Sequence, residues 1–138
     1  MRITDRDEEI LLIVARHRIA RSTHIIRLLQ NMHPGASEQG LLRRLEWLYH
    51  AGYLSGPKVQ LYPYRAGAGS APIAYMLGNH GADLVARKYG FRRATVDWTA
   101  KARTAKRGEF EHAIEITDFM VEIDLACRRR GTHEVIYF

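Results

Sequence analysis

The stretch "GLLRRLEWLYHAGYL", residues 40–54, carries two messages at once. With about 3.6 residues per helical turn, Leu45 at the centre of one face gathers Leu41, Leu42, Leu48 and Tyr49 beside it. The opposite face collects Gln39, Gly40, Arg43, Trp47 and His50, with Arg44 on a flank. Ala51 and Gly52 then stop the helix, because glycine takes the left-handed conformation that closes a last turn. One face is made for a core. The other, with an arginine and a tryptophan near its middle, is made to be presented to something.

The segments before it predict two shorter helices. Thr4 ahead of "DRDEE" reads as an N-cap, with acids in the first turn where the helix dipole favours them. Ile10, Leu11, Ile13 and Val14 give that helix an apolar side, and it ends near His17. "RSTHIIRLLQN" places Ile25, Leu28 and Leu29 at helical spacing, and Pro34-Gly35 punctuates before a third helix that begins around Ser37. After Leu54 the period changes. "VQLYPYR" and "PIAYMLG" are strand-like and joined by "AGAGSA", with Asn79 then capping a short helix that ends at Gly90. Three helices followed by a long-tipped hairpin is the order of a winged helix-turn-helix.

Beyond Gly90 the chain lacks a strong period and is rich in Lys and Arg. It reads as a basic linker over 91–106. From about 107 to 130 a helical pattern returns, with Phe110, Ala113, Ile114, Phe119 or Met120, Ile123 and Cys127 on one side; "HEVIYF" ends the chain as a strand. The expected fold is therefore mainly α with a small β-hairpin wing. It comprises a winged helix-turn-helix over 1–90, the linker, and an amphipathic helix with a short tail over 107–138. A stripe of that length exceeds what a three-helix core needs, so Phe110, Ile114, Phe119, Ile123 and Cys127 are expected at a homodimer interface. The competing expectation is that this helix folds back over its own winged helix.

Charge narrows the function classes. Residues 1–108 hold eighteen Lys/Arg against eight Asp/Glu, whereas 109–138 hold three against seven. A basic body with an acidic tail is the electrostatic pattern of a nucleic-acid binder. No apolar run approaches the roughly 20 residues of a membrane span, and "ILLIVA" is short and follows charges rather than a signal-peptide n-region. The lone Cys127 makes no internal disulfide, as expected of a cytoplasmic protein.

In a helix-turn-helix the third helix lays its outer face in the major groove of double-stranded DNA. Arg43, Gln39 and Trp47 are the expected base contacts, since Arg pairs with guanine and Gln with adenine through two hydrogen bonds each. Arg21, Arg27, Arg44 and His50, with Lys58 and Arg65 of the wing, are expected on the phosphate backbone. A dimer would recognise an inverted repeat.

The motifs "DRDEEILLIVARHR", "HIIRLL", "LLRRLEWLYHAGYL" and "AYMLGNHGADLV", and more loosely "FEHAIEITDFMVEI", resemble the replication-relaxation family of mobile-element and plasmid proteins. The family begins with a winged helix. Arg21 and His24 stand where the resemblance leads one to expect threonine and glutamine, and Gly78 where a capping threonine is usual. The resemblance implies DNA binding in a plasmid, phage or integrative element, and it transfers no catalytic residue.

A relaxase would need a nucleophilic tyrosine and clustered histidine ligands. The seven histidines are scattered without an HxH or HExxH grouping, and His112 with Glu115 lack further ligands. "AGAGS" lacks the Lys and Ser/Thr of a phosphate loop. The sequence predicts no enzyme, metal or cofactor. The leading reading is a sequence-specific, dimeric transcriptional regulator of a phage, plasmid or integrative element; a DNA-binding replication or transfer accessory and a winged-helix protein-interaction module are the alternatives.

Overall fold

Thr4 opens the first helix through a reciprocal cap. In the computed structural model, which describes residues 2–56, 72–99, 104, 106–131 and 134–136, the Thr4 N–H donates to the Asp7 carboxylate at 2.8 Å. The Asp7 N–H in turn donates to the Thr4 hydroxyl at 3.2 Å. Two donors that a helix start would leave unpaired are thereby satisfied. Helix α1 runs Asp5–His17, strand β1 Ala20–Arg21, α2 Ser22–Met32 and α3 Glu38–His50. Ser37 caps α3 by accepting the Gly40 N–H at 2.9 Å, and Gly52 closes it with φ +85. Strands β2 (Leu54–Ser55) and β3 (Ala74–Leu77) follow, then α4 (Asn79–Tyr89), α5 (Arg93–Val96) and α6 (Arg107–Arg130).

β3 is the middle strand, antiparallel to both neighbours, with Ala20 opposite Tyr75 and Leu54 opposite Leu77. The sheet closes one end of a helical core in which Ile10, Leu11, Leu29, Leu45, Leu48 and Val85 are inaccessible to solvent. Burying each such side chain stabilises the fold by about 1.5–3 kcal/mol relative to exposure. This is the winged-helix order with a long C-terminal helix. "VQLYPYR", Lys58 and Arg65 lie outside the described residues.

Four details depart from expectation. Leu42 and Tyr49 are exposed, so the core stripe of α3 narrows to Leu41, Leu45 and Leu48. Gly78, not Asn79, caps α4. A side chain at Gly78 or Gly81 would run into the carbonyls of Gly52 and Tyr53, so this helix start packs directly on the turn after α3. The first part of the basic linker is packed: Val96 is buried, Phe91 lies against the core, and Arg93 donates to Asp83 at 2.8 Å. Among the described residues, 134–136 form no strand.

The largest correction concerns α6. Phe110 and Ile114, expected at a dimer interface, are buried against Ile19, Ala74 and Met76 of the same chain. Val121 and Leu125 enter the main core. The Thr117 hydroxyl donates to the Ile19 carbonyl at 2.7 Å, fastening the helix to the β1 edge. The helix folds back because Ile19, Ala74 and Met76 leave an apolar face that Phe110 and Ile114, together with Trp98, cover. It still presents a second apolar side, with Phe119 66% and Ile116 52% exposed and Ile123 and Cys127 half-buried. No helix among the described residues is long and apolar enough to cross a membrane.

Candidate nucleic-acid interface

The outward face of α3 is set by what its inner face must bury. With Leu41, Leu45 and Leu48 in the core, helical geometry turns Gln39, Leu42, Arg43, Glu46, Tyr49 and His50 outward, and all six are exposed. Arg43 has no hydrogen-bond or ion-pair partner among the described residues. Its guanidinium is a fork of donors on a rigid support, suited to a base edge or a phosphate.

Arg44, next in sequence, has a different fate. One residue moves 100° around a helix, and that rotation aims Arg44 at α1. Its Nε donates to Asp7 Oδ1 at 2.9 Å, and its Nη2 donates to Asp7 Oδ2 and, at 3.1 Å, to the Arg2 carbonyl. Asp7 is fully buried. Burial alone would raise its carboxyl, but hydrogen bonds from Arg44 and Thr4 outweigh burial and hold it below the usual carboxylate range. Arg44 is thus a tie between α3 and α1, and its donors are already occupied by protein acceptors.

Trp47, expected on the outward face, is half-buried in a column along the same flank. The Arg44 guanidinium lies 4.6 Å from its ring centroid, Tyr53 stacks on it at 6.1 Å, and Tyr53 meets His80 at 5.7 Å. The column links α3 to the start of α4 and braces α3.

The cations at the start of and along α2 face the other way. Arg21 donates to the Pro72 carbonyl at 2.6 Å and lies 5.7 Å from the Phe110 ring. Arg27 donates to Glu122 at 2.6 Å. His24 accepts the Arg21 N–H on Nδ1 at 3.0 Å, so Nε2 carries the proton that it donates to Asp118. Arg21 and His24, the departures from the family pattern, therefore receive α6. His50 stays exposed and touches Tyr49 edge-on at 5.4 Å.

Sequence reasoning missed Arg2, an exposed cation held at the α3 flank through its carbonyl. It also missed Leu42 and Tyr49 as outward apolar groups. No periodicity signal marks Arg2, since it precedes the first helix. Among the described residues no group of three His, Cys, Asp or Glu side chains could hold a metal ion.

A family model described as replication-relaxation matches residues 11–136 of this chain. No curated protein and no solved structure matches it.

Proposed function

The chain belongs to the replication-relaxation family, and from that premise we propose that it binds double-stranded DNA through the outward face of α3, in the replication or transfer of a plasmid or other mobile element. One observation carries this reading: on a helix whose neighbouring cation is tied to Asp7, Arg43 points outward without a partner among the described residues. Winged-helix geometry directs that face to the major groove. Arg43 and Gln39 read base edges, Leu42 meets a thymine methyl, and His50, Arg2 and the wing cations Lys58 and Arg65 meet phosphates. Trp47 and Arg44 brace the helix from behind. Arg21 and Arg27 hold α6.

The protein acts in this reading by binding, without a catalytic step. Transcriptional regulation is the second reading, favoured by the exposed apolar side of α6, which would pair two recognition helices over an inverted repeat.

Selection of bound duplexes from a random pool tests the proposal. Enrichment of a defined motif, with loss of that enrichment in Arg43→Ala, supports it. A pool that stays random, with no retention of duplex DNA at low salt, supports a protein-interaction module instead.

A further inference from the structure

Past Arg107, the outward side of α6 is acidic in its early turns, apolar in its middle and basic in its last turn. Ile116, Phe119, Ile123 and Cys127 recur every three or four residues, the spacing of a helix–helix seam. Phe119 is 66% and Ile116 52% exposed, although the opposite face of the same helix is buried. From Glu109 to Cys127 the helix holds acids and no Lys or Arg, and it ends in Arg128, Arg129 and Arg130. Asp118 is held by His24, Glu122 by Arg27, and Asp124 by Arg128 within the chain. Glu111 and Glu115 at one end, and Arg129 and Arg130 at the other, have no such ties among the described residues.

We propose that α6 pairs antiparallel with α6 of a second copy of this chain, about a two-fold axis beside Phe119 and Met120. In that register Phe119 meets Met120 of the second copy, Ile116 meets Ile123, and the acidic start of each helix lies along the arginines that end the other. The face is its own complement only in this direction. A parallel pair would set three arginines against three arginines and glutamates against glutamates, and like charges repel across such a seam. A contiguous exposed apolar stripe flanked by charge is what an interaction surface leaves on a free protomer. The proposal is independent of the DNA-binding reading, and its test uses no DNA, so either can fail alone.

Sedimentation velocity of the full chain over a concentration series should show a monomer–dimer equilibrium. Phe119→Asp should shift it to monomer with an unchanged circular dichroism spectrum, because the ring is exposed. Direction is tested by oxidative cross-linking. Phe119→Cys in a Cys127→Ser background should give a covalent dimer, since the two positions face each other near the axis. The chain with its own Cys127 should not cross-link: fifteen residues of helix keep the two Cys127 Cα atoms about 22 Å apart, and a disulfide needs less than about 7 Å. A monomer at every concentration overturns the proposal. So does a dimer that Phe119→Asp leaves intact, or cross-linking through Cys127 with none through position 119.

Discussion

Helices α3 and α6 both bury one face in the same core, and they expose opposite chemistry on the other. α3 turns out Gln39, Arg43, Glu46 and His50 beside Leu42 and Tyr49, a mostly polar surface on which Arg43 has no partner among the described residues. α6 turns out Ile116 and Phe119, while its Asp118 and Glu122 are tied to His24 and Arg27 of α2. A polar face fits a hydrated, charged ligand, and an apolar face fits another protein surface. On the proposed reading, α3 serves recognition of DNA and α6 serves association with a second chain.

The widest separation is expected within α6 itself. Phe110→Ala should lower stability by about 3–5 kcal/mol, because it empties a buried site between α6 and the sheet. Phe119→Ala should change it by less than about 0.5 kcal/mol, as exposed positions do. Urea denaturation at low protein concentration, where a dimer would contribute least, reads both. Equal effects would erase the distinction between the faces.

The neighbouring arginines of α3 should differ next most. Arg44→Ala leaves Asp7 buried without its cation, which costs about 3–5 kcal/mol for a fully enclosed pair and less here, where Arg44 is partly exposed. Arg43→Ala should leave stability unchanged. A stable Arg44→Ala protein with a reduced salt slope on DNA would return Arg44 to the phosphate contacts.

Acid should loosen the docking of α6. Burial between α1 and α6 lowers the His17 imidazole to about 4, against an opposing pull from Asp124. The unfolded chain binds this proton below about pH 6.5 and the folded chain only near 4, so stability is intact above 6.5 and falls between 6.5 and 4. The loss should reach about 2–3 kcal/mol. Thermal unfolding across that range should show it, and His17→Gln should flatten the dependence. An identical slope in the variant would assign the acid sensitivity to other groups. The smallest effect belongs to the wing, where Lys58→Ala or Arg65→Ala should each lower the salt slope of DNA binding by about 0.9; an unchanged slope would take the wing off the DNA.

Much of this division is legible in the sequence, and the rest is missing for a physical reason. The cap at Thr4, the stop at Gly52 and the bounds of α6 follow from local chemistry, which the sequence contains in full. The fates of Arg43 and Arg44 do not, because Arg44 is decided by Asp7 on another helix. His24 and Arg27 likewise meet Asp118 and Glu122 more than ninety residues away. Periodicity also merged the two apolar sides of α6 into one, since a helix with wide apolar coverage gives no single stripe. That merger is why Phe110 and Ile114 were expected beside Phe119.

The central claim is that the outward face of α3 reads DNA sequence through Arg43. Its most direct test compares Arg43→Ala with the unaltered protein on a selected duplex and on random duplexes at one salt concentration. The account predicts a loss of about 1–3 kcal/mol on the selected duplex and a much smaller loss on random DNA. Equal losses on both would make Arg43 a phosphate contact, and no loss on either would remove this face from DNA altogether.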